Sequence, residues 1–176
     1  EMSDTTKKFD IKDTKRILLG WPPKIAYDGN VDEVVAFYSK ASGQTQDRTS
    51  LFKGKKLTSI FIYAMCLGKN AGLFSDYDKK DGKIDRRATI DVEYFASQPE
   101  YVWMMIATAF DHAKNVDDMK SDELLELFDN PAKIVEICEK YANYGIHQLM
   151  KMNNQASVGD PYRGYDEKLS DLLDES

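Results

Sequence analysis

The sequence predicts an all-α fold, a single compact domain of five or six helices, and three observations carry that expectation. Apolar residues recur at helical spacing in two long runs: Leu57, Ile60, Phe61, Ala64 and Leu67, then Ile134, Ile137, Cys138, Tyr141, Ile146 and Leu149. Helix-start chemistry precedes apolar stretches at Ser97-Gln98-Pro99-Glu100 and at Asn130-Pro131. An alternating run that could be a strand, Ile90, Val92 and Tyr94, is spoiled by Phe95, so residues 89–96 fit neither period.

Each element follows in order. Residues 1–16 are polar and read as a frayed arm. Ile17 to Trp21 is apolar and is closed by Pro22-Pro23, which stops any regular element. Asp28-Gly29-Asn30 signals a turn, and Asn30 then serves as N-cap for a helix over Val31 to Ala41, with Val31, Val34, Val35 and Tyr38 as its apolar face. A second helix carries the Leu57–Leu67 stripe; Gly68 stands where its last turn can close through a left-handed residue. Ser75 to Arg87 reads as a charged loop. Asp81-Gly82 suits a type I′ hairpin turn, but the flanks lack strand alternation, which favours the loop.

Ser97 and Glu100 have the spacing of a capping box for a helix reaching about Lys114. That helix is apolar on nearly every side from Val102 to Phe110, so it is predicted at the centre of the core. Ser121-Asp122-Glu123 opens a shorter helix. From Pro131 one helix of roughly 33 Å runs to about Met152, at about 1.5 Å per residue. Its phase does not slip at Gly145, although an interior glycine costs about 1 kcal/mol relative to alanine. Close approach of a neighbouring helix explains such a glycine best. Residues 153–176 read as a polar loop followed by an acidic amphipathic tail, leaving 17–152 as the helical domain.

The chain has 176 residues, enough for one core, and a net charge of −6. No apolar run approaches the roughly 18 residues a membrane helix needs, and Glu1 to Asp13 lacks a signal-peptide hydrophobic region. Cys66 and Cys138 lie in apolar runs without metal-type spacing and read as buried thiols in a reducing cytoplasm. The total charge conceals an asymmetry. Residues 1–90 carry 17 basic and 12 acidic side chains, while residues 91–176 carry 7 and 18. Such imbalance accompanies nucleic-acid contact or an acidic tail.

Candidate sites were weighed on spacing. Asp76 to Arg87 resembles a calcium loop until its register is counted: position 5 is Lys80, the glycine falls at 7, and position 12 is Arg87 rather than glutamate. His112, after Asp111 near a helix C-terminus, suits the helix dipole. Asp111, His112 and His147 form no HExxH pattern, and Glu139, Asn143 and His147 at i, i+4 and i+8 read as a solvated polar face. No GxSxG, P-loop or GxGxxG occurs, so no catalytic residue, metal ligand or cofactor is assigned. The basic residues are the informative feature. Lys53, Lys55 and Lys56 precede the second helix, whose amino end favours phosphate. Lys79, Lys80, Lys83, Arg86 and Arg87, with Lys69, extend the set toward a patch suited to the duplex DNA backbone, diluted by Asp76, Asp78, Asp81 and Asp85.

Two further stretches bear on function. Phe52 with Ile60-Phe61-Ile62-Tyr63-Ala64-Met65-Cys66-Leu67-Gly68, and Glu139-Lys140-Tyr141-Ala142-Asn143-Tyr144-Gly145-Ile146-His147-Gln148-Leu149, lie in two stretches, 52–68 and 139–149, of 28 residues together. In these the chain resembles small accessory proteins associated with dnd-type DNA phosphorothioation and phage-restriction systems. The resemblance implies a non-catalytic accessory role near DNA or near the modification and restriction complex, alongside protein partners of the same system, and it transfers no catalytic residue. Self-association is compatible with it. The competing expectation is a protein-binding adaptor that uses the acidic tail or the Ile17–Trp21 segment and makes no nucleic-acid contact.

Overall fold

The structure, a computed structural model, describes residues 11–27, 32–41, 55–77, 79–80, 83–84 and 88–156. Six α-helices dominate them: α1 (Ile11–Leu18), α2 (Asp32–Ala41), α3 (Leu57–Ala71), α4 (Pro99–Asn115), α5 (Ser121–Glu126) and α6 (Pro131–Ala156). Four short strands, β1 (Lys24–Ala26), β2 (Lys79–Lys80), β3 (Lys83–Ile84) and β4 (Thr89–Asp91), pair as β1 with β4 and β2 with β3. The all-α expectation therefore holds. Contacts group the chain into two compact units, residues 1–25 with 90–138 and residues 26–89 with 139–176.

In the first unit, α1 occupies part of the stretch expected to be an unstructured arm. Thr14 and Leu18, four apart, are buried, and Ile17 is half-buried between them, so a short amphipathic helix packs onto α4 and the 3₁₀ turn Val92–Phe95. Trp21 closes the segment and is buried, while Leu19 points outward at 84% exposure. The ambiguous residues 89–96 resolve as both periods in succession, strand β4 and then the 3₁₀ turn. Phe95, which broke the alternation, is a core residue of that turn.

The predicted capping box at α4 does not form. Gln98 is the N-cap, Pro99 takes the first helical position, and the Ser97 hydroxyl instead donates to the Tyr94 carbonyl at 3.5 Å. The preceding 3₁₀ turn has already claimed the serine. Nor is α4 buried all round: Val102, Met105, Ile106, Ala109 and Ala113 face inward, whereas Trp103 and Met104 are exposed. At α5 a glutamate does close the first turn, the Lys120 N–H donating to Glu123 Oε2 at 2.7 Å. Asn130 caps α6 as expected, its Oδ1 accepting from the Lys133 N–H at 3.3 Å. The helix runs to Ala156, four residues into the stretch expected as loop.

In the second unit the crossing of α3 with α6 sets the geometry. A Cβ on Gly145 would collide with the Ala64 carbonyl and stand 2.8 Å from the Gly68 nitrogen. One on Gly68 would collide with the Tyr141 carbonyl. The two glycines thus let backbones meet where side chains would hold helices 8–10 Å apart. This bears out the reading of Gly145 and corrects that of Gly68, which lies inside α3. The left-handed residue that closes the helix is Gly72, at φ 65°. Burial on α3 also exceeds the predicted stripe, taking in Thr58, Ser59, Ile62 and Met65.

Candidate nucleic-acid interface

From Gly72 the chain is tacked along α6. The Leu73 N–H returns to the Gly68 carbonyl, and the Phe74 ring meets Tyr141 edge-on at 5.4 Å. The Ser75 N–H reaches the Lys140 carbonyl, and Asp76 pairs with Lys140 Nζ at 3.1 Å. The Tyr77 hydroxyl donates to the Ala26 carbonyl at 3.2 Å. These contacts deliver the chain to β2.

There the expected charged loop contains a hairpin, β2 pairing antiparallel with β3 in the register Lys79↔Ile84 and Lys80↔Lys83. Strands of two residues are too short to show alternation, so the Asp81-Gly82 dipeptide was the only legible signal. The register sets Lys80 and Lys83 at paired backbone positions.

Lys55 and Lys56 are exposed immediately before the first turn of α3, where Lys56 is the N-cap residue and its side chain makes no capping hydrogen bond. Lys53, Arg86 and Arg87 lie outside the described residues. All eight candidate cations fall in the 26–89 segment of the second unit. Two details redraw the patch. Asp76, counted among its diluting acids, is engaged by Lys140, and Lys69 lies over the Tyr141 ring at 5.6 Å instead of extending the patch.

The same unit holds a polar interior that sequence reasoning passed over. Glu139 is fully buried and its Oε1 accepts from the Ala26 N–H at 2.7 Å. Asn143, one turn on, is buried with neither amide atom hydrogen-bonded among the described residues. Tyr38 is likewise buried, its hydroxyl without a partner among them, and its ring stacks on Tyr27 at 4.0 Å. Burial, and secondarily the Tyr27 phenol, pushes the Tyr38 phenol far above the usual tyrosine range. The expected solvated face Glu139–Asn143–His147 is therefore solvated only at His147. The i, i+4, i+8 spacing was visible; which side the core would take was not.

Beyond Asn143, Tyr144, His147, Gln148, Lys151 and Met152 line a surface pocket of about 550 Å³, with Gln148 Nε2 donating to the Tyr144 hydroxyl at 3.2 Å. His147 and Lys151 sit in the carboxyl-terminal half of α6, ahead of its last turn.

The remaining titratable candidates are structural. His112 is buried beside Asp117, its Nε2 3.6 Å from the carboxylate. Cys138 is buried and its thiol faces the Met105 carbonyl at 3.3 Å. Cys66, expected to be buried, is half-buried, and burial pushes its thiol up, away from nucleophilic thiolate chemistry. Among the described residues no cluster of His, Cys, Asp and Glu could hold a metal, and no helix is long and apolar enough to cross a membrane. No protein family, curated protein or solved structure matches the chain.

Proposed function

We propose that this chain is a non-catalytic accessory protein of a DNA-modification or phage-defence system and that it contacts the duplex backbone through its second unit. The observation that carries the reading is the hairpin register, which sets Lys80 against Lys83. Like charges held opposite one another are unfavourable in the free protein and favourable once a phosphate lies between them. Lys55 and Lys56 add charge at the amino end of α3, where the helix dipole favours the same ligand. Contacts of this kind position a protein on DNA and carry no sequence information. Assignment to a phosphorothioation-linked system rests on the resemblance of the α3 and α6 segments.

The test is duplex binding by fluorescence anisotropy at low salt, with the hairpin and helix cations reversed separately. Lys80→Glu with Lys83→Glu should weaken binding at least tenfold, and Lys55→Glu with Lys56→Glu should do so independently. Absence of binding by the wild-type protein would sink the proposal. The adaptor reading is favoured by a different observation, the exposed aromatic and aliphatic side chains of the first unit. Of the Ile17–Trp21 segment, Leu19 is exposed whereas Leu18 and Trp21 are buried in that unit's core; residues 157–176 lie outside the described residues.

A further inference from the structure

One ring contact joins exposed apolar side chains of α4 to those at the end of α5 as a strip on the first unit. Exposed Trp103 and half-buried Phe110 stand at i and i+7 of α4, one face of the helix, and exposed Met104 lies about a quarter-turn round from them. Phe110 meets the Phe128 ring at 4.5 Å between centroids. Phe128 is 50% exposed, and Leu125, one turn earlier at the end of α5, is 67% exposed. Trp103, Met104, Leu125 and Phe128, exposed on the two elements that this ring pair joins, exceed the isolated surface apolar residues a monomer normally carries.

The charge around the strip says what fits it. Glu100 precedes Trp103 by one turn, Asp111 adjoins Phe110, and Glu126 and Asp129 flank Leu125 and Phe128; Lys114 is the cation that α4 adds to that face. The whole unit carries nine basic and fifteen acidic residues. We infer that this strip is a docking surface for a basic amphipathic helix of a protein partner, its apolar face on Phe128, Leu125 and Met104 and its lysines or arginines on the acidic rim. Helix-in-groove recognition of this sort takes specificity from the apolar anchors and association rate from the charge. A second copy of this chain suits the surface less well, because an acidic face on a two-fold axis would meet itself.

The experiment uses the full chain and two synthetic 18-residue helices with the same leucine face, one bearing lysine on its polar face and the other glutamate. Trp103 emission and backbone amide shifts are followed on titration. The lysine helix should shift Trp103 emission to the blue and move the amides of Met104, Leu125 and Phe128. Its affinity should exceed that of the glutamate helix at least tenfold and fall with added salt. Phe128→Asp and Leu125→Asp, both at exposed positions, should each weaken it tenfold or more. Equal binding of both helices, binding by neither, or shifts confined to other residues would overturn the inference. So would concentration-dependent dimerisation abolished by Leu125→Asp, which would assign the strip to a second copy. Duplex DNA affinity plays no part in these outcomes.

Discussion

Asn143 and Tyr38 are polar side chains whose surroundings decide their energetics. A buried amide without partners costs about 1–3 kcal/mol relative to a paired one. Replacing Asn143 with leucine, which branches at Cγ as the amide does, should therefore stabilise the protein by about 1–2 kcal/mol, read as a raised midpoint in urea. A lowered midpoint would show that the amide is bound by an ordered water, since the leucine would then strip a partner from that water. Tyr38 makes a second prediction, in pH. Burial holds its phenol neutral in the folded protein, whereas in the unfolded chain it ionises near pH 10. The folded phenol is the weaker acid, so its contribution to stability is complete below about pH 10 and is lost as pH rises beyond. Thermal scans from pH 8 to 11.5 should show that alkaline loss, and Tyr38→Phe should flatten it while leaving stability at pH 8 unchanged or higher. An identical alkaline slope in the variant would refute the assignment. None of this was legible in the sequence. The spacing of Glu139, Asn143 and His147 shows a shared helical face, but only the position of β1, set by distant residues, shows that Glu139 meets the Ala26 N–H inside the fold.

Among the elements, the crossing of α3 and α6 is where local rule and tertiary demand conflict most sharply. Alanine is favoured over glycine in a helix interior by about 1 kcal/mol, so Gly145→Ala considered locally would stabilise. The added Cβ would overlap the Ala64 carbonyl, a backbone atom that cannot turn aside, and overpacking of this kind costs about 1–3 kcal/mol or more. The steric effect wins: Gly145→Ala and Gly68→Ala should each lower stability by at least about 2 kcal/mol in chemical denaturation. Gly72→Ala makes a contrast, since nothing lies within 4 Å of its would-be Cβ and only its φ of 65° resists. Its cost should be about 1 kcal/mol. Equal costs at all three positions would show that the crossing does not rest on backbone contact. This crossing was partly legible, because an unbroken helical phase through Gly145 demands some reason for the glycine. Which helix supplied it was not, and Gly68 was misread because a glycine near a helix end has two uses that sequence alone does not separate. The hairpin failed for the opposite reason: the turn dipeptide was present, but two-residue strands leave no period to detect. At α4 the capping-box residues were present too, and lost to a 3₁₀ turn that the broken alternation at Phe95 did not predict.

For the whole molecule, helical periodicity over α3 and α6 settled the all-α class, because each is long enough for its stripe to be unambiguous. Function was less legible, because the candidate cations lie where periodicity is weakest. The charge asymmetry along the chain survives folding in altered form, with the first unit at nine basic to fifteen acidic residues and the second balanced at fifteen of each. The balanced unit holds both the hairpin lysines and the α3 lysines, and the acidic unit holds the apolar strip. On the reading proposed, the two units address different partners, so Phe128→Asp should leave duplex affinity unchanged within twofold while the hairpin reversals weaken it at least tenfold. The most direct test of the DNA assignment is the salt dependence of that affinity. If most of the eight candidate cations engage phosphates, the logarithm of the binding constant should fall linearly with the logarithm of salt concentration, at a slope between about −4 and −7. A slope near zero, or no measurable duplex binding at about 20 mM salt, would contradict it.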